Sequence, residues 1–283
     1  MKLLSRAVLV VAICLATASP LHATDQPTGR TTTTALTVDG QRRTYRLHQP
    51  RPSTAPVPLV VVLHGAGATA REVERRYHWD RLADRRRFVV AYPQGVDRRW
   101  DDTGTRDVSF LRAVLTDVAA RVSIDPARVF ITGISNGGVM TYRAACDLAG
   151  TVAAIGPVAA WFPDCLPAQP IAVIHIHGLA DDVLGFNGRP GDDGSGSPSV
   201  PDGIAAWRRA DGCTDEPVTG GSGEITRTVW RSCASGTAVE LDTIEHGQHE
   251  WPGAIPKPGN ERVSRALDAT TTIWDFFEAH PRA

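Results

Sequence analysis

Buried runs alternating with amphipathic stretches organise most of this chain. "PLVVVLH" (58–64), "FVVAYP" (88–93), "RVFITG" (128–133), "VAAIGPVAA" (152–160) and "IAVIHIHG" (171–178) are short, almost uninterrupted apolar runs rich in β-branched residues. Such runs predict strands covered on both faces, as in a parallel sheet. "RTYRLHQP" (43–50) predicts an earlier strand, and "ITRTVWRS" and "TAVELDTIE" alternate as two neighbouring strands would. Helical spacing appears between the runs. Residues 70–86 are charged with that spacing, and 107–122 set Val108, Leu111, Leu115, Val118 and Val122 on one face. Further helices are expected over 138–148, 203–211 and 261–279, with a Gly/Pro/Ser/Asp-rich loop over 185–201. The fold class is therefore α/β: a mostly parallel central sheet with helices on both faces. No repeat and no dividing linker is visible. The expected organisation is a threonine-rich flexible leader (24–34) and one catalytic-size domain (35–283), with no polymer-binding module after it.

The first 23 residues read as an export signal. Lys2 and Arg6 precede an apolar run from Ala7 to Ala16, and Ala16, Ala18 and Ala23 offer small residues for cleavage. The run is shorter than the about 20 apolar residues a bilayer span needs, so no stable membrane insertion is expected once it is removed. Bulky Ile13 before Cys14 argues against lipid attachment there. A formal charge of −1 gives no reason to expect a nucleic acid partner. Removal of Cys14 with the signal leaves Cys146, Cys165, Cys213 and Cys233, an even set that suits disulfides in an exported, extracellular protein.

Chemistry enters at "VFITGISNGGVM" (129–140), where a strand pattern stops and a helix pattern begins around Ser135. G-I-S-N-G matches the G-x-S-x-G elbow, which lifts a serine hydroxyl above the sheet edge. A serine is a poor nucleophile until a base takes its proton and a third group orients that base. The acid is expected after a later strand, where "IHIHGLADD" presents Asp181, with Asp182 turned to water or capping the turn. His175 and His177 alternate with apolar residues and read as hydrogen-bonded core histidines. The base is expected last. "EHGQHEWPG" (245–253) offers His249 in mid-loop, with His246 at the strand end as fallback. The order Ser, Asp, His is that of the α/β-hydrolase fold. Oxyanion donors are expected from the Asn136 N–H and from "LHGAGA" (63–68), at Ala66 or its neighbour Gly67.

"VVLHGAG", "YPQG", "RVFITGISNGG", "HIHGLAD", "AAWRRADGC" and "GQHEWPG" together resemble the motif series of secreted esterases related to polyhydroxybutyrate depolymerases and feruloyl or acetylxylan esterases. The resemblance implies nucleophile Ser135, acid Asp181, base His249, an oxyanion contribution near Ala66, and no metal or organic cofactor. The chain departs from the family at "AGATA" (66–70), which lacks a richer glycine run, and at "DVLGF" (182–186), where a proline and an aromatic are usual. The leading expectation is a serine carboxylic-ester hydrolase of the polyhydroxybutyrate depolymerase-like type. Its substrate would be a small ester, a polyester oligomer or an esterified polysaccharide. A feruloyl or acetylxylan esterase is the alternative within the class; a secreted acyltransferase and a non-catalytic binding protein are the alternatives outside it.

Trp161, Phe162 and Trp251 sit at strand or loop ends from which they would line an acyl pocket, whereas Trp100 and Trp207 read as packing. The strand order also orders the cysteines. Cys146 nears the end of the helix that descends from the catalytic edge, and Cys165 lies on the next descent, which pairs them at the opposite edge. Cys213 and Cys233 form the second pair.

Overall fold

Alternate side chains of the central strands face two different layers of helices, which is why their sequences are apolar without interruption. Strand β3 (Val57–Leu63) sends Leu59, Val61 and Leu63 to one side and Val60 and Val62 to the other, none more than 1% exposed. Strand β5 (Ile124–Ile134) divides Val129 and Ile131 from Phe130 and Ile134 in the same way. The first side packs on α3 (Arg106–Arg121), α4 (Asn136–Asp147) and α5 (Val200–Ala210), through residues such as Phe110, Met140 and Trp207. The second packs on α1 (Ala70–Arg76), α2 (Trp79–Arg86) and α6 (Ala269–Ala279), through Val73, Trp79, Leu82 and Trp274. These are the two cores of a doubly covered sheet. The computed structural model describes residues 28–161, 164–188, 198–259 and 263–283. The segment read as an export signal, the first residues of the expected leader and Phe162 lie outside them.

The remaining strands are β1 (Arg30–Val38), β2 (Gln41–Gln49), β4 (Val89–Pro93), β6 (Ala154–Val158), β7 (Ala172–Gly178), β8 (Val218–Ser222), β9 (Ile225–Trp230) and β10 (Val239–Ile244). The ten-stranded sheet has the order β1-β2-β4-β3-β5-β6-β7-β10-β9-β8. From β4 to β10 every neighbouring pair is parallel, so the carboxyl ends of these strands share one edge. Antiparallel strands extend both flanks. Asp39 and Gly40, with φ of 49° and 77°, form the tight Asp-Gly turn that sets β1 against β2 in the register Val38↔Gln41.

Several expectations are corrected. The leader read over 24–34 is, from Arg30, strand β1: its threonines are β-branched and pair with β2, and an edge strand does not require an apolar face. The stretch 70–86 is two helices, divided where His78 takes φ 61°. The last helix starts at Ala269, where the Asp268 carboxylate accepts the Thr271 N–H at 3.2 Å, and not at 261. Strand β8 is exposed throughout and glycine-containing, so it carries no hydrophobic signal. Among the described residues no helix is long and apolar enough to cross a membrane.

Cys146 is bonded to Cys165 and Cys213 to Cys233, closing sequence separations of 19 and 20 residues. The first bond ties the end of α4 to the segment that leads into β7; the second ties the end of α5 to the end of β9. In the chain-entropy account a loop of this length contributes about 3 kcal/mol. The double variant Cys146→Ser/Cys165→Ser is therefore expected to lose about that much stability in urea denaturation. An unchanged midpoint would contradict a stabilising role for this bridge.

Candidate active site

Strand β5 ends at Ile134 and α4 begins at Asn136, so Ser135 alone makes the turn, with φ 57° and ψ −128°. A non-glycine residue holds that conformation only where the surroundings enforce it. The Ser135 N–H donates to the Val158 carbonyl at 3.0 Å, and its own carbonyl accepts the Val139 N–H at 2.9 Å. The flanking glycines are required by close approach. A Cβ at Gly137 would lie 2.4 Å from the His64 carbonyl oxygen and 2.6 Å from that of Leu63; one at Gly133 would lie 2.6 Å from the Gly137 oxygen. Both spacings are shorter than any tolerable carbon–oxygen contact, so side chains there would push the helix off the sheet.

The ends of β7 and β10 bring Asp181 and His249 together. The turn after Gly178 meets the turn after Ile244: Leu179 N–H donates to Ile244 O at 2.9 Å and Ala180 N–H to Gly247 O at 3.0 Å. Gly178 lies against Gly247, where a Cβ would be 2.1 Å from the Gly247 oxygen. Across this junction His249 Nδ1 sits 2.8 Å from Asp181 Oδ2. The other carboxylate oxygen, Oδ1, accepts the N–H groups of Val183 at 2.9 Å and Leu184 at 2.7 Å. Burial alone would raise the Asp181 pKa; the hydrogen bonds from His249 and Leu184 outweigh it and hold the carboxyl below its ordinary range. A carboxylate only accepts, so the Nδ1 of His249 donates to Asp181, and in the neutral ring Nε2 carries no proton. Asp182 is exposed, and exposed His246 borders a different cavity, beside Glu224.

The loop after β3 is fixed from both sides. His64 is fully buried; its Nδ1 donates to Gly65 O at 2.9 Å, while Nε2 accepts the Gly95 N–H at 3.0 Å. Burial lowers its pKa, so the ring is neutral, with the one proton these contacts demand. The Gly65 carbonyl also accepts the Ala68 N–H at 3.1 Å. In a planar trans peptide the N–H points away from the C=O, so pinning Gly65 O aims the Ala66 N–H to the opposite side. The Gly67 N–H is occupied by the Arg98 carbonyl at 2.8 Å, and the Arg98 guanidinium donates to Gly67 O. The Ala66 N–H, aimed the other way, makes no backbone hydrogen bond among the described residues. Gly65 is close to the elbow, since a Cβ on it would be 3.4 Å from that of Ser135. The Asn136 N–H, first of α4, has the open valence of a helix N-terminus. The Asn136 side chain is spent elsewhere, accepting from Trp100 N at 2.7 Å and donating to Trp100 O at 3.2 Å.

Above Ser135 lies a cavity of about 170 Å³ bordered by Ala66, Arg76, Tyr77, Ser135, His249 and Trp251. Trp251 is buried, stacked on Tyr77 with centroids 4.5 Å apart, and its indole N–H donates to Thr270 Oγ1 at 3.0 Å. It forms wall more than surface. Trp161, 36% exposed, is not among the residues bordering this cavity. Trp100 and Trp207 are buried packing residues whose indole N–H groups donate to His64 O and Ile171 O. Tyr77 and Arg76 carried no signal in the sequence, because they end an ordinary charged helix and reach the cavity only through the fold.

An α/β-hydrolase is what this sheet order, elbow and acid–imidazole pair define. No protein-family model matches the chain. It is 33% identical over 265 residues to NocK of Nocardia uniformis subsp. tsuyamanensis, an esterase by name, covering 81% of this chain and 76% of the relative. It is also 33% identical to a protein of Aspergillus clavatus that carries the name feruloyl esterase C, over 78% of this chain and 77% of that one. An acetyl xylan esterase from Aspergillus awamori superposes on 88% of the chain with a TM-score of 0.64 at 14% identity, a likeness of fold. The chain belongs to the α/β-hydrolase esterase family to which these relatives belong, and it is a carboxylic ester hydrolase.

Gly137→Ala, which places a methyl group 2.4 Å from the His64 oxygen, is expected to remove esterase activity and lower the yield of folded protein. Gly220→Ala, with open space around its Cβ position, serves as control. Equal activity and yield in the two variants would show that the elbow tolerates a side chain after all.

Proposed function

We propose that Ser135 is the nucleophile, His249 its base and Asp181 the orienting acid, with the Ala66 and Asn136 N–H groups as the oxyanion hole. The observation that carries this reading is the His249 Nδ1–Asp181 Oδ2 hydrogen bond beside a serine at a positive-φ elbow. His249 Nε2 takes the Ser135 proton as Oγ attacks the ester carbonyl. The two amides hold the oxygen that becomes negative. His249 then protonates the leaving alcohol, and water repeats the sequence on the acyl-enzyme. Asp181 stays ionised throughout and stabilises the imidazolium.

The substrate we infer is a feruloyl or acetyl ester of a plant cell-wall polysaccharide, hydrolysed outside the cell. The relative named for feruloyl esterase activity and the Tyr77–Trp251 wall of the cavity support the acyl side of this reading. The N-terminal signal pattern and the two disulfides, bonds that persist in oxidising compartments, support export. A hydroxybutyrate polyester is the competing substrate.

Ser135→Ala and His249→Ala are expected to abolish turnover of p-nitrophenyl acetate, and Asp181→Asn to lower kcat by about 10⁴-fold, the cost of a mis-set imidazole tautomer. His246→Ala is expected to stay near wild type. Reversal of the two histidine effects would overturn the assignment of the base. With methyl ferulate, acetylated xylan and hydroxybutyrate oligomers compared by kcat/KM, one of the first two is expected to lead. Preference for the oligomers would overturn the substrate reading and leave the triad standing.

A further inference from the structure

Behind the acid runs a line of buried polar groups that the proposed reaction does not use. Tyr142 on α4 and His175 on β7 are fully buried, and His177 on β7 is 1% exposed. Tyr142 Oη lies 2.7 Å from His175 Nδ1, His175 Nε2 lies 3.0 Å from His177 Nδ1, and His177 Nε2 lies 2.8 Å from the Leu184 carbonyl oxygen. The two imidazoles are stacked, with planes 7° apart. A carbonyl only accepts, so His177 must carry its proton on Nε2. Its Nδ1 then accepts from His175 Nε2–H, and His175 Nδ1 accepts from the Tyr142 hydroxyl. Each of these donors then has an acceptor within the line, and the direction runs from α4 to the acid turn. Burial lowers the pKa of both histidines and raises that of Tyr142, in keeping with three neutral groups.

Leu184 is the common point. Its N–H donates to Asp181 Oδ1 while its carbonyl accepts from His177, and His177 Nε2 also lies 3.6 Å from Asp181 Oδ2, the oxygen that meets His249. The geometry points to His177 as a positioning residue that holds the 181–184 turn, and with it the Asp181 carboxylate, in register with His249. The line starts on the helix that Ser135 begins, so it ties the nucleophile's helix to the acid's turn through the interior. Loss of the His177 donor would leave the Leu184 carbonyl without the partner it has in the interior. The turn would relax to satisfy it, and Asp181 would turn with it. This inference rests on the triad reading above.

Three variants test it: His177→Phe, which keeps a ring but no donor; His177→Gln, whose side-chain amide keeps an N–H for Leu184 O; and Tyr142→Phe, which cuts the line at its far end. In His177→Phe, kcat for p-nitrophenyl acetate is expected to fall on the order of 10²-fold, the scale of a misplaced catalytic group, with KM little changed. The downfield proton resonance of the His249–Asp181 hydrogen bond is expected to disappear with it. His177→Gln is expected to recover most of kcat and the resonance, and Tyr142→Phe to lower kcat in the same direction with KM unchanged. A folded His177→Phe with wild-type kcat, a His177→Gln as impaired as His177→Phe, or a Tyr142→Phe with wild-type kcat would overturn the inference. Asp181→Asn separates the two levels: if it remains active the triad reading falls, and if it is inactive while His177→Phe is not, only the positioning role falls.

Discussion

The close approach of α4 to the end of β3 is the constraint on which the rest of the site depends. Backbone meets backbone there, with the position of a Gly137 Cβ only 2.4 Å from the His64 oxygen. That contact lets one residue, Ser135, turn the chain from strand to helix. It also sets the first amide of α4 beside the loop after β3. Ser135 and the amides of Ala66 and Asn136 are therefore placed by one packing event between main chains, not by the separate adjustment of several side chains. His64 and Arg98 then stiffen the loop by holding Gly65 and Gly67, the peptides on either side of Ala66.

A second close approach, of Gly178 to Gly247, places Asp181 and His249 in the same manner. Neighbouring parallel strands β7 and β10 deliver Asp181 and His249 from a sequence distance of 68 residues to 2.8 Å. In both places glycines let two stretches of main chain touch; in the second, backbone hydrogen bonds also lock the turns, and His249 borders the cavity while Asp181 lies buried behind it. Within the acid turn the carboxylate is held by two backbone N–H groups, so His249 meets an acceptor that is already oriented.

How much of this was legible in the sequence follows from whether each signal is local. The parallel strands were legible because burial on both faces writes a continuous apolar run. The turns that carry Ser135, Asp181 and His249 were legible because each follows a strand pattern. His249, the histidine that meets Asp181, stands clear of the strand end, and His246 does not. Strand β1 was not legible: "TTTTALTV" looks like a polar leader, and its pairing with β2 is a tertiary fact. Strand β8 failed for the same reason. That the Gly67 amide is occupied could not be read, because its acceptor is a carbonyl 31 positions away. Trp161 showed the limit of reading position alone, since following a strand end does not bring a side chain to the cavity. His175 and His177 were legible as satisfied core histidines, but the direction of their hydrogen bonds came only from the Leu184 carbonyl that ends the line.

The proposed role of Ser135 requires it to be the activated serine of this chain. Incubating the native protein with a fluorophosphonate and mapping the modified peptide by mass spectrometry tests it directly, since an activated serine reacts and an ordinary hydroxyl does not. One adduct per chain, located on Ser135 and rising in step with loss of esterase activity, is the predicted result. An adduct on another serine, or activity that survives full modification of Ser135, would contradict it.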